Sequence, residues 1–150
     1  MVANGIVQSK LVYLITLWGG AQQYLLKALL VQQLTAARVV CGFNCWGWSK
    51  KKLLDRVGWL SVTQLIFFHT VLQAHKTIST GVPRSLHSSI STDHPYRTRS
   101  ATNGQIRFGE TFSGGSSSFK LRAKESYNSV PASVRRGSLV TVKRKLKQWV

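Results

Sequence analysis

Cys41, Cys45, His69 and His75 are residue types that bind zinc, in the Cys-Cys-His-His order of a common structural site. The spacing argues against that use. A gap of 23 residues lies between the two pairs, about twice the usual one. His69 and His75 also fall in one predicted helix, where six residues turn the second ring about 240° from the first. Two cysteines four residues apart with Gly42 between them read as free, buried thiols rather than a disulfide framework. Nucleophilic chemistry is equally unsupported. Asp93 and His94 are adjacent and serines abound, but no G-x-S-x-G elbow occurs. The stretch Ser113 to Ser118 (SGGSSS) lacks the Gly-Lys-Ser/Thr ending of a phosphate loop. Two-metal phosphoryl transfer needs clustered carboxylates, and the four acids stand far apart at Asp55, Asp93, Glu110 and Glu125. The isolated chain is therefore read as a non-enzyme, with no metal, no cofactor and no small-molecule substrate.

Against those four acids stand 21 Lys and Arg, a formal charge of +17 in 150 residues. Such a chain repels itself unless a polyanion screens it, so a nucleic acid (RNA or DNA) or an anionic membrane is the partner to expect first. Candidate phosphate contacts are Arg97, Arg99 and Arg107, around a turn bearing Tyr96 and Phe108. Lys120, Arg122 and Lys124 add three more, which would share one face if their segment were a strand. Lys143, Arg144, Lys145 and Lys147 complete the set on a C-terminal helix, and the neighbouring aromatics suit stacking on unpaired bases. Arg135-Arg136-Gly137-Ser138 also resembles a basophilic-kinase site, a short pattern that arises often by chance.

These residues need elements to hold them. The spacing predicts an apolar helix over Ile6 to Trp18, stopped by Gly19-Gly20. A second helix over Gln22 to Val40 has Leu26, Leu30, Leu34, Ala37 and Cys41 on one face and Gly42 as its stop. Ser49 caps a short basic helix ended by Gly58. Ser61 with Gln64 forms a capping box for a long helix to about Ile78, with a stripe of Leu65, Phe68, Leu72 and His75. Gly81-Val82-Pro83 breaks the chain before a short turn. Asn103-Gly104 signals a hairpin within Tyr96 to Phe112. Phe119 to Tyr127 reads as strand or helix, and Pro131 to Arg135 as one helical turn. Ser138 caps a final amphipathic helix with Leu139, Val142, Leu146 and Trp149 on its apolar face. The fold class is mainly α: a single helical domain or domain fragment with a small irregular or β-hairpin insert around 96–125. Residues 1–80 form an apolar helical segment, and 81–150 a basic, Ser- and Arg-rich one, together a single structural unit.

Targeting signals are weak. Leu11 to Trp18 loosely imitates a signal-peptide core, but its cation comes late and the apolar helical pattern continues beyond it. That run is also too short to span a membrane. The expectation is an intracellular protein, in nucleus or cytoplasm, not secreted and without a membrane as its main partner.

Six strings taken together resemble the region C-terminal to the polymerase core in non-LTR (LINE-type) retrotransposon reverse transcriptases. They are LVYLITLWGGA at 11–21, LTAARVVCG at 34–42, LLDRVGWLSVTQLIFFHTVLQAHK at 53–76, HPYRTRSATNG at 94–104, SFKLRAKESYNSVPASVR at 118–135 and SLVTVKRKLKQWV at 138–150. Each is weak alone; their order and spacing across nearly the whole chain are more specific. The resemblance implies a post-polymerase helical segment, thumb-like over 1–80, that packs on a reverse-transcriptase core and touches template RNA or target DNA. The core with its paired metal-binding aspartates and the endonuclease are both missing here, so no catalytic residue carries over. Two cysteines cannot make the Cys-Cys-His-Cys knuckle of some relatives. Met1 stands just before the matching sequence, as in a truncated element read as its own frame. The alternatives are a structural relic without autonomous activity and a basic peripheral membrane binder using the C-terminal helix.

Overall fold

A computed structural model describes residues 4–42, 45, 47–91, 102–108 and 118–150. The chain is mainly α-helical, with one small antiparallel strand pair among the described residues. Its contacts divide it into two compact units, Met1–Ile66 and Phe67–Val150. The division falls inside a long helix, upstream of the change in sequence texture at Gly81.

In the first unit the N-terminal apolar run is not one helix. A π-helical turn (Asn4–Gln8) leads into α1 (Ser9–Val12), and α2 (Ile15–Trp18) follows after a break. Tyr13 turns out of helical geometry (ψ 119°) and Leu14 takes a left-handed conformation (φ 49°, ψ 28°). A left-handed non-glycine residue costs about 1–2 kcal/mol. Part of the compensation is visible: the Trp18 indole N–H donates to the Tyr13 carbonyl at 2.8 Å. No Gly or Pro marks this elbow, so the hydrophobic pattern runs straight through it.

The longer helices form where the spacing predicts. α3 (Gln23–Cys41) buries Leu26, Gln33, Leu34 and Ala37, and Gly42 closes it with its N–H on the Arg38 carbonyl. α4 (Lys50–Val57) starts at Ser49, whose hydroxyl accepts from the Lys52 N–H. It ends at left-handed Gly58, where the N–H groups of Gly58 and Trp59 reach the carbonyls of Asp55 and Leu54. That is the terminus a glycine after a helix is suited to make. α3 packs on α4 around Leu34, Ala37, Cys45, Leu53, Leu54 and Trp59, with Val7, Leu30 and Trp48 closing the edges.

α5 (Val62–Thr80) opens with the reciprocal capping box. Gln64 Oε1 accepts from the Ser61 N–H at 2.9 Å, and Ser61 Oγ accepts from the Gln64 N–H at 3.3 Å. Its entry is also gripped by Gln33, buried in the unit's interior. Gln33 Nε2 donates to the Leu60 carbonyl at 2.8 Å, and Oε1 accepts from the Val62 N–H at 3.1 Å. One side chain thus satisfies both backbone groups where the chain enters α5.

The second unit holds the remainder of α5, α6 (Arg84–His87), β1 (Ile90–Ser91), β2 (Arg107–Phe108), α7 (Phe119–Ser129), α8 (Ala132–Arg135) and α9 (Leu139–Trp149). α5 contributes Phe68, Val71, Ala74 and His75 to the interior, together with Thr70 and Thr77, while Leu72 is only half-buried. Ile106, Ala123, Tyr127, Val130, Val142 and Leu146 supply the rest. The strand pair is antiparallel, with Ile90 opposite Phe108 and Ser91 opposite Arg107. Asn103-Gly104 is therefore not the tip of a two-residue hairpin. Gly104 does adopt positive φ (60°), but the partner strand lies farther upstream. Two side chains pin this turn from α7 and α8. Asn128 takes both backbone groups of Ile106, at 2.9 and 3.0 Å. Arg135 donates from Nη1 to the Gly104 carbonyl at 2.6 Å and from Nη2 to that of Asn103 at 2.8 Å.

Candidate nucleic-acid interface

The cations of α9 are presented by a helix whose rotation is fixed at three places. Ser138 Oγ caps the start, accepting from the Thr141 N–H. Gly137 before it has φ +123°, and a Cβ there would stand 3.3 Å from the Thr141 side chain. Val142 and Leu146 are fully buried, and Trp149 stacks on Phe67 with ring centroids 5.6 Å apart. With that face turned inward, Lys143, Lys147 and Arg144 lie exposed over roughly 100° of the helix surface. No acid occurs in this helix. Lys145 is set apart: half-buried, it donates Nζ to the Ser133 carbonyl at 2.8 Å.

The other proposed contacts are scattered. Residues 119–129 form a helix, so Lys120, Arg122 and Lys124 do not share a strand face. Ser118 decides this locally, its hydroxyl accepting from the Leu121 N–H to start α7. Lys120 and Lys124 stand one turn apart, while Arg122 points to the opposite side. Lys120 donates to Ser89 Oγ at 2.8 Å, Arg122 is half-buried, and Lys124 is exposed. Burial lowers the pKa of the Arg122 guanidinium. Arg107 is exposed in β2. Arg97, Arg99 and Tyr96 lie outside the described residues.

Two expected roles change. Tyr127 is interior and unavailable to a base: its ring lies 5.0 Å beneath the Arg135 guanidinium and 6.4 Å from His75. Burial raises its hydroxyl pKa, against the opposing pull of Arg135. Arg135 is buried as well, with Nε on the Val130 carbonyl at 2.9 Å. The kinase-like string thus exposes Arg136 and Ser138 but not its first arginine. Sequence reasoning missed the structural use of Arg135, because an Arg pair beside a glycine carries no periodic burial signal.

The zinc-like residues have other uses. Cys45 is buried, and its thiol hydrogen-bonds Cys41; burial pushes the Cys45 pKa up and Cys41 reinforces the rise. His75 pairs its Nε2 with the Gly137 carbonyl at 3.2 Å. Among the described residues no three His, Cys, Asp or Glu side chains gather to hold a metal.

His69 and His75 both titrate below the ordinary imidazole value, burial being the larger cause in each. The Lys143 charge adds to the effect at His69, and the Gly137 carbonyl opposes it at His75. The unfolded chain therefore binds these protons first. Stability present above about pH 6.5 is lost as the pH falls toward the folded pKa values. Urea midpoints should drop between about pH 7.5 and about pH 5.5; a flat profile would contradict this reading of the two rings.

No family model, curated protein or solved structure matches this chain.

Proposed function

We propose that this chain is a non-catalytic nucleic-acid-binding segment of retrotransposon reverse-transcriptase ancestry, and that α9 makes its principal phosphate contacts. The observation that carries the binding role is the exposed Lys143–Arg144–Lys147 face on an acid-free helix anchored by Val142 and Leu146. The ancestry rests on the ordered strings alone. Arg107 and Lys124 are exposed supplementary cations, whereas Lys120 and Lys145 are engaged with Ser89 and Ser133.

Phosphate contacts of this kind act through release of condensed counterions, so each one steepens the dependence of affinity on salt. Replacing Lys143, Arg144 and Lys147 together by glutamine should weaken binding of a labelled single-stranded RNA at low salt. It should also make the slope of log affinity against log salt shallower by roughly 2. The sites are exposed, so the fold should be unaffected. An unchanged slope in the triple variant would remove α9 from the interface.

A further inference from the structure

α3 has two apolar faces, and only one is used within the first unit. Leu26, Gln33, Leu34 and Ala37 turn inward. On the opposite side Tyr24, Ala28, Val31, Thr35 and Val39 recur at steps of four and three, within about 80° of arc. All five are exposed; Val39 is 78% accessible, Tyr24 63% and Val31 57%. None is charged. Among the described residues α3 is also the one unbroken helix long and apolar enough to cross a membrane, by length and composition alone.

The charges around this stripe are all of one sign. Lys27 and Arg38 lie along one border, roughly 60–80° from its centre line counted around the helix. On the other side a cleft of about 270 Å³ separates α3 from the N-terminal turns, with Lys10 in its wall beside Leu29 and Gln32. No acid occurs in the first 54 residues. An uncharged strip between cations fits a surface offering hydrocarbon and negative charge together. A second copy offers the hydrocarbon, but at +17 per chain it also brings repulsion. A nucleic acid offers the charge, yet Val31 and Val39 give a phosphate nothing to bond.

We propose that the outward face of α3 docks on an anionic lipid surface, with Tyr24, Val31 and Val39 entering the headgroup–acyl boundary while Lys27, Arg38 and Lys10 meet lipid phosphates and carboxylates. The helix lies along the surface rather than across it, because its inner face is occupied by α4. Tyr24 suits the boundary, with an apolar ring and a polar tip. This contact is independent of the nucleic-acid face on α9.

The test is flotation of the full chain with vesicles of phosphatidylcholine alone or mixed with phosphatidylserine. The expected result is partition onto the serine-lipid vesicles, weakened about tenfold or more in Val31→Gln/Val39→Gln. That variant keeps the net charge and should keep wild-type RNA binding, which separates this proposal from the one for α9. Partition equal in variant and wild type would show that charge elsewhere does the binding, and would overturn the proposal. So would failure to float with either vesicle. A lipid-free dimer that becomes monomeric in the same variant would assign the face to a second copy instead.

Discussion

Replacing Arg135 by methionine should destabilise the second unit by about 3–4 kcal/mol, the largest effect expected of any single substitution proposed for this chain. The guanidinium is buried and ends on three backbone carbonyls, those of Asn103, Gly104 and Val130, with no carboxylate among these partners. Methionine fills a similar volume but leaves the buried Val130 carbonyl without its donor, and the part-buried carbonyls of Asn103 and Gly104 lose a charged one. A hydrogen bond from a charged donor contributes roughly 1.5–3 kcal/mol, and an orphaned buried acceptor costs about 1–3 kcal/mol. Losses within one cluster overlap, so the expected total lies well below their sum. Contact with the Tyr127 ring is lost as well. Burial lowers the arginine pKa, but a guanidinium remains charged in proteins. Arg135→Lys keeps the charge and loses the fork, so it should recover only part of the loss. Urea unfolding checks the size, and faster amide exchange at Gln105, Ile106 and Arg107 checks the location. A methionine variant within about 1 kcal/mol of wild type would show that the carbonyls find other donors.

Gln33→Leu is the second large effect, about 2–3 kcal/mol. The substitution hardly changes size and adds apolar surface to a buried site, so burial alone predicts a gain. Hydrogen bonding predicts the opposite, because the Leu60 carbonyl and the Val62 N–H lose the partner that serves both. The second effect should win: the Val62 N–H is fully buried and the Leu60 carbonyl part-buried, beside a side chain only 1% exposed. The capping box at Ser61 and Gln64 survives the change, so α5 should still form while its junction with α3 loosens. Thermal melting should show a lower midpoint and a broader transition; an unchanged or raised midpoint would rule out this role for Gln33.

What the sequence displays of this fold is its punctuation. Ser49 with Gly58, Ser61 with Gln64, and Ser138 are local signals that act over three or four residues, and the helices begin and end on them. The inward half of α3 and the buried half of α9 are legible from spacing in the same way. Three features are not. The Tyr13–Leu14 elbow lies in an unbroken apolar run, where only tertiary packing can choose between a straight helix and a bent one. Lys120, Arg122 and Lys124 alternate as a strand would, and a single cap at Ser118 outweighs that alternation. Gln33 and Arg135 look like surface residues because they are polar. Apart from the Val130 carbonyl, five residues from Arg135, their partners are backbone groups 27 to 32 residues away, and a backbone group leaves no mark in a sequence.

The candidate site follows the same division. Net charge by itself points to a polyanion, and the exposed cations of α9 are compatible with one. Charge alone does not say which cations face solvent. Lys143, Arg144 and Lys147 are exposed, Lys145 and Lys120 are held by Ser133 and Ser89, and Arg135 is interior. The scarcity of acid leaves these charges little to pair with inside the chain, which is the physical basis for an external anion.

The most direct measurement of that claim is the affinity of the full chain for a fluorescent single-stranded RNA across a range of salt concentrations. The expected result is binding at low salt that weakens steeply, with a log–log slope of about −2 or steeper. Absence of binding at low salt, or affinity indifferent to salt, would contradict it.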